Sequence, residues 1–361
     1  MNSPRATPPR YETLEHWRGI AALAVVAFHG FYPWQEHPAP YGLEWLAAMA
    51  RWGFTGVHLF FVISGYCIAQ LVLREIQVGR DPLSFIRNRC LRIFPPYWAA
   101  WLVLAALSLI ARPFNHAALF WHGNLPGALP ASPFAAVAHL FLFEPLVGLR
   151  SYLLVAWTLT WEVCFYLLAT VLIAVGIRVG LRWMVTLWLG FAVLGLCPAI
   201  LGYATWLSGW SEFTCGACVF AALNGRRPLP WTILIALFGV AGRIALGPWS
   251  MLQFAAGFAL LLVALHRVDG VLTRQRALRW LGRCGLISYS LYLIHAPVIS
   301  PLRNLLARLV PDDRPVFVVV IFACMAASIG AAVLFHQRVE APVERWRKRF
   351  GKSTRPTTLS A

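Results

Sequence analysis

The chain has 361 residues, of which 59% are hydrophobic and 12% charged, and 31 Lys and Arg against 14 Asp and Glu give a net charge of +17. Soluble domains carry about 25% charged residues, so this chain lacks the polar side chains to cover a water-facing surface. No long polar stretch interrupts its apolar runs, which argues against a soluble domain. The 17 Trp and 10 Tyr suit a protein with two bilayer interfaces, where amphipathic rings settle.

A helix needs about 20 mostly apolar residues to cross the hydrocarbon core. Such runs predict about ten transmembrane helices, over 18–34, 54–73, 93–111, 154–176, 182–200, 203–223, 229–246, 249–266, 285–304 and 315–336. The expected class is an all-α integral membrane protein. Arg5, Arg10 and Arg18 precede the first run as they would in a signal peptide. That run holds His29, leads into Tyr32-Pro33-Trp34 and has no clear small-x-small cleavage site, so it reads as a retained span. The run 134–147 is apolar but short, and reads as an interfacial or re-entrant helix.

With the N-terminus inside and ten spans, 24 of the 31 Lys and Arg fall on the cytoplasmic side. The outer remainder is Arg51, Arg112, Arg150, Arg243, Arg303, Arg308 and Arg314. This bias is what the positive-inside rule expects, and it predicts that both termini are cytoplasmic. The basic face then serves topology and contact with anionic membrane lipid. No Lys/Arg stripe with interleaved aromatics stands outside the membrane, so no nucleic-acid partner is expected. The eight Cys form no framework. Cys215-x-x-Cys218 has no second pair of ligands nearby, so no metal is expected.

Ionisable residues inside spans are costly and mark function. Here they are His29, His58, Glu162, Glu212 and His295, with Arg18, Arg89 and Arg92 at inner ends of spans. His29 follows Arg18 by eleven residues, about 16 Å of helix. His29, His58 and Glu162 fall at similar depth in the outer half of the predicted spans. A buried carboxylate beside an imidazole orients a base and stabilises its protonated form. The plainer alternative is a His29 that bonds a backbone carbonyl, with Glu162 as a structural partner. Arg87, Arg89 and Arg92 precede Pro95-Pro96-Tyr97-Trp98, and Arg forks bind phosphate well. Alone, that cluster would be read as topology and lipid contact. Glu212 lies mid-span with no identified partner.

All of these residues except Glu212 sit in segments that resemble the acyltransferase-3 group of membrane-bound O-acyltransferases. RGIAALAVVAFH (18–29) is similar to the family's Arg–ten residues–His element, and GVHLFFVISGY (56–66) to its second block. RNRCLRIFPPYW (87–98) resembles its Arg-x-x-Arg and Arg-Ile-x-Pro-x-Tyr-Trp pattern, and WTLTWEVCFY (157–166) its Trp-Ser-Leu-x-x-Glu block. ISYSLYLIHAPV (287–298) and VEAPVERW (339–346) are weaker matches. The chain departs from the family in having Glu15 where Asp is usual, and only Glu162 where Glu-Glu-Gln is frequent.

The resemblance implies a cytoplasmic segment 1–16, an acyltransferase-3 membrane domain 17–337 and a basic cytoplasmic tail 338–361, in a bacterial inner membrane. It implies acetyl-CoA or another acyl-CoA as donor, and a sugar of a cell-surface or exported glycan, or a lipid-linked saccharide, as acceptor. The WTLTWE block is closest in flavour to exopolysaccharide acetyltransferases. Arg18, Arg89 and Arg92 would meet the donor's phosphates. His29 would act as general base or accept the acyl group itself, and Glu162 would orient it. His58, Tyr97, Trp157 and His295 are weaker candidates for substrate contact. No esterase-like domain follows the last predicted span, so transfer is expected to finish in the membrane domain or on another protein. A polytopic transporter of a glycan intermediate or proton-coupled solute is the rival class, and an inactive component of a polysaccharide export complex is the third.

Overall fold

The computed structural model describes residues 11–31, 44–111, 132–197, 206–225, 227–307, 309 and 316–353. Arg5, Arg10, Tyr32, Pro33, Trp34, Arg112, Arg226, Arg308 and Arg314 lie outside them. All regular structure among the described residues is helical. In chain order the α-helices are α1 (Leu14–Gly30), α2 (Glu44–Arg51), α3 (Gly56–Val78), α4 (Pro82–Ala111) and α5 (Pro133–Leu140). Next come α6 (Ala156–Arg178), α7 (Leu181–Leu194), α8 (Trp206–Asn224), α9 (Pro228–Ala245) and α10 (Met251–Leu265). The last are α11 (Asp269–Arg274), α12 (Arg279–Leu286), α13 (Ser288–Ala307), α14 (Val316–Phe335) and α15 (Ala341–Ser353).

Each of the ten predicted runs overlaps at least one of these helices. Among the described residues, six helical segments are long and apolar enough to cross a membrane: Glu44–Val78, Pro82–Ile110, Ala156–Arg178, Pro228–Ala245, Met251–Arg274 and Val316–Arg349. A seventh is added if Arg276–Leu286 and Ser288–Leu306, bent by 72°, count as one span. The other predicted spans fall short for physical reasons. α1 has 17 residues and α7 has 14, against about 20 for a full crossing. α8 has 19 residues but carries Ser211, Glu212, Thr214 and Asn224. The crossing helices expose large apolar side chains, with Ile110 66%, Ile244 79% and Val319 67% exposed. Such surface is stable facing hydrocarbon and costly facing water.

The chain forms two units, Met1–Leu23 with Phe54–Arg80 and Val171–Leu286, and Ala24–Gly53 with Asp81–Thr170 and Ile287–Ala361. In the first unit, α3 and α8 pack with their backbones in near contact. A Cβ on Gly65 would lie 1.9 Å from the Phe213 carbonyl oxygen, and one on Gly216 1.9 Å from that of Val62. Small residues let membrane helices approach in this way. The start of α1 is tied to a distant acid. Asp269 accepts the backbone N–H of Thr13 at 3.0 Å and also the N–H of Glu12 and the hydroxyl of Thr13. A carboxylate there answers the unpaired N–H groups and the positive end of the helix dipole.

In the second unit, Phe31, Ala47, Ala50, Phe317 and Ile321 make one apolar cluster. One π turn, His336–Glu340, joins α14 to α15. Glu340 receives the Ser290 hydroxyl at 2.5 Å and faces His336 Nδ1 at 2.9 Å. The two weaker motif matches therefore meet. The run 134–147 is no continuous span. It holds the eight-residue α5, capped by Ser132 Oγ and started by Pro133. It then turns at Leu142, with φ of 57°, into a short 3-10 turn, Glu144–Val147. Tyr97 and Trp98 fasten this segment to α4, donating to the carbonyls of His139 at 2.5 Å and Leu140 at 2.8 Å.

Candidate active site

His29 stands in the last turn of α1 and is half-buried. Its Nδ1 lies 3.0 Å from the Val25 carbonyl, one turn back, and 3.1 Å from Nε2 of His295 on α13. Nδ1 of His295 in turn lies 2.9 Å from the Leu291 carbonyl, and the residue is fully buried. Carbonyls only accept, so in the neutral rings each Nδ1 carries its hydrogen. His29 then shares its Nδ1–H between Val25 and the lone pair of His295 Nε2. The lone pair of His29 is left on Nε2, the atom that can take a proton or an acyl group. Arg303, also on α13 and 4% exposed, donates to the His29 carbonyl at 3.1 Å. A guanidinium at the end of a helix satisfies a carbonyl that has no partner within it.

The same unit holds a second cluster. Tyr166, one turn after Glu162 on α6, donates its hydroxyl to the Glu162 carboxylate. The Arg89 guanidinium lies 5.8 Å from the rings of both Tyr166 and Phe85. Its Nε is buried with no hydrogen-bond partner among the described residues. Arg92, one turn on along α4, is exposed. Tyr289 of α13 donates to the Ile93 carbonyl at 2.8 Å. An aromatic-walled arginine with unspent donors is suited to a phosphate or carboxylate.

The candidates fare differently. The ring partner that the structure gives His29 is His295, where Glu162 was expected, and Glu162 is bonded to Tyr166 beside Arg89. Arg18 forms a 3.6 Å ion pair with Glu15 one turn back. The Glu15 departure from the usual Asp therefore keeps a carboxylate within reach of the arginine. Tyr97 is fully buried and its hydroxyl is committed to the His139 carbonyl. That places it as a fastener of the 132–149 segment rather than a surface for substrate. Trp157 is 37% exposed and meets Trp161 edge-on at 5.1 Å. His58, in the first unit, has its Nδ1 2.6 Å from Oε2 of Glu212. That supplies the partner Glu212 lacked. Among the described residues no three His, Cys, Asp or Glu side chains converge on a metal-like arrangement.

Sequence reasoning missed the His29–His295 bond and the role of Arg303, which was counted as an outer-loop charge. Nothing local signals either, because each pairs positions more than 250 residues apart. The Tyr166–Glu162 bond was legible, since residues four apart share a helix face.

The acyltransferase-domain family matches residues 11–336. The peptidoglycan O-acetyltransferase OatA of Listeria monocytogenes is 24% identical over 374 residues, covering 92% of this chain and 56% of the relative. The O-acetyltransferase OatA of Staphylococcus aureus is 24% identical over 387 residues, 96% of this chain and 58% of the relative. The putative peptidoglycan O-acetyltransferase YrhL of Bacillus subtilis is 24% identical over 377 residues, 91% and 54%. The chain thus spans little more than half the length of these relatives. No solved structure matches it.

Proposed function

The chain belongs to the acyltransferase-3 family, and on that basis we propose that it moves an acyl group, most simply acetyl, from an acyl-CoA to a sugar hydroxyl of a glycan at the bacterial cytoplasmic membrane. Support for the chemistry comes from the tautomer of His29, which presents a lone pair on Nε2 and has its ring held by His295 and Val25.

Two routes remain open for that nitrogen. As general base, Nε2 takes the acceptor's hydroxyl proton while the oxygen attacks the thioester carbon. The carbon–sulfur bond breaks, and the leaving thiolate takes the proton back from the imidazolium. As nucleophile, Nε2 attacks the thioester carbon and the carbon–sulfur bond breaks, leaving an acyl-imidazolium and a thiolate; the sugar oxygen then displaces the imidazole from the acyl carbon as its hydroxyl proton passes to the thiolate. In both routes His295 Nε2 accepts from His29 Nδ1–H and steadies the positive ring.

Arg89 and Arg92 hold the donor's phosphates, with the buried Arg89 Nε as one open donor. Glu162 acts at this cluster through Tyr166. Arg18 is proposed as a phosphate contact on its motif alone, and Arg18→Ala should also raise the donor KM. The acceptor is a glycan of the cell surface; the relatives named above favour a wall polymer, and the WTLTWE block an exopolysaccharide. Ten spans with both termini cytoplasmic remain the topology we propose, on the charge bias.

The test is acetyl transfer from radiolabelled acetyl-CoA to glycan by the full chain in membranes. His29→Ala should abolish transfer and leave membrane insertion intact. Arg89→Ala and Arg92→Ala should raise the donor KM; an effect confined to the glycan acceptor would argue against phosphate binding. Wild-type protein that transfers acetyl to no glycan would sink the assignment and favour the transporter reading.

A further inference from the structure

The first unit holds a groove lined by α3, α7, α8 and the start of α9, with a cavity of about 330 Å³. That volume falls within the range of small-ligand sites, about 300–1,000 Å³. It is too small for another helix, which is about 10–12 Å across with its side chains. Val72, Leu73, Met184, Val185, Leu189 and Phe220 are in its wall, which is almost wholly apolar. Along α8 the lining runs from Thr214 to Gly225, about 16 Å of helix. The hydrocarbon core of a bilayer is about 30 Å thick, so the groove has the depth of one leaflet.

Its two ends differ. At the Thr214 end the polar atoms are spent on the protein. Trp188 Nε1 donates to Thr214 Oγ1 at 3.0 Å, and that hydroxyl donates to the Trp210 carbonyl at 2.8 Å. Asn224 and half-buried Trp231 stand at the other end. This end lies at a membrane edge, because Val78 and Pro228 are limits of two segments able to cross. A tryptophan there suits the headgroup level. Arg74 follows the lining residue Leu73, Arg182 follows Leu181, and Arg227 comes two residues after Gly225; all three are exposed. Glu75, the acid beside Arg74, is paired with Arg80 at 3.2 Å. Topology accounts for arginines at a membrane edge, but not for a one-leaflet apolar groove that ends among them. An apolar chain carrying a negative head matches both parts.

We propose that this groove is a binding site for an anionic phospholipid. One acyl chain lies along α8 between α3 and α7, and the phosphate sits at the mouth within reach of Arg74, Arg182 and Arg227. The chain supplies the contact area and the arginines select the head. The site goes beyond the acyltransferase reading and does not depend on it, since no acyl transfer is needed for the lipid to bind.

The experiment uses the full chain in phosphatidylcholine nanodiscs doped with a phosphatidylglycerol whose acyl chain carries a diazirine. After irradiation, label is expected in peptides covering 69–73, 181–189 and 214–225. It should be about tenfold above that from the same chain on a phosphatidylcholine head. Ala221→Phe places a ring in the groove, since Ala221 lines it. That variant should lose the groove label and keep the label on the exposed face of α14, which reports ordinary contact with bilayer lipid. Arg74→Gln combined with Arg182→Gln should bring the phosphatidylglycerol label down to the phosphatidylcholine level. Equal labelling by the two heads in wild type overturns the proposal, as does groove label that survives Ala221→Phe. If Ala221→Phe does not fold, the arginine variant, changed only at exposed positions, decides. An unaltered preference for phosphatidylglycerol then overturns the proposal, and a lost preference supports it.

Discussion

His29 and His295 are 266 residues apart in sequence, and the bond between them places the His29 lone pair on Nε2, the nitrogen proposed to react. A neutral ring whose Nδ1 hydrogen is shared with a carbonyl and a second imidazole keeps its lone pair on Nε2. Deleting the second imidazole leaves Val25 as an acceptor but removes the group that steadies the charged ring. We therefore expect His295→Ala to lower kcat by about 10- to 100-fold while leaving the donor KM close to wild type, measured as acetyl transfer in membranes. A comparable rise in donor KM would place His295 in binding instead.

Glu144 carries a separate prediction. Its carboxylate is fully buried in the 132–149 segment, near His139 and Ser151, and burial raises its pKa from 4.5 to about 7. Burial also lowers the His139 imidazole, whose Nδ1 is 4.0 Å from Glu144. An acid raised in the folded state binds its proton more tightly there than when unfolded, so stability is full below pH 4.5 and declines as pH rises toward 7. The decline is on the order of 3 kcal/mol at most, at about 1.4 kcal/mol per pH unit. Thermal unfolding at several pH values should show it, and Glu144→Gln should flatten the profile. A profile unchanged by that substitution would mean the carboxyl does not titrate in this range.

Helix contacts explain how these side chains are held. α3 and α8 approach through Gly65 and Gly216, and each added Cβ would meet a backbone oxygen at 1.9 Å. Backbone cannot move aside as a flexible side chain can, so the helices must separate. Gly216→Ala should cost about 1–3 kcal/mol of stability, as overpacking does in a close-packed core. The same separation should lengthen the His58–Glu212 bond. A variant with unaltered melting temperature would show that the contact is slack. α4 is a second case. Pro95 and Pro96 lie inside a 30-residue helix and remove two helical donors, and the adjoining Tyr97, Trp98 and Ile93 are the points where the 132–149 segment and Tyr289 attach. The Pro-Pro-Tyr-Trp motif thus reads as an anchoring device.

Across the membrane, length and apolarity give six or seven crossings among the described residues, and charge bias favours ten. The gap comes from α1, α7 and α8, which are short or polar. These helices also hold the ionisable groups, since His29 and Arg18 lie on α1 and Glu212 on α8. A helix that carries catalytic or binding groups sacrifices apolarity, and hydropathy then undercounts it. Ten spans require a cytoplasmic C-terminus. A C-terminal alkaline phosphatase fusion should be inactive and a green fluorescent protein fusion bright; the reverse pattern would mean an odd number of crossings.

Helical class, membrane residence and family were all legible in the chain, because composition, apolar run length and motifs such as RGIAALAVVAFH are local properties. So was the list of ionisable suspects, since a charge in an apolar run stands out without any knowledge of its surroundings. Their pairing was not. His29 with His295, His58 with Glu212 and Arg303 with the His29 carbonyl each join helices distant in sequence, and which faces meet depends on packing set by glycine contacts and prolines. Depth along a span placed Glu162 beside His29, but depth is one coordinate of three. The rotation of α6 about its axis, which turns the face shared by Glu162 and Tyr166 toward Arg89, is fixed by the helices packed around it.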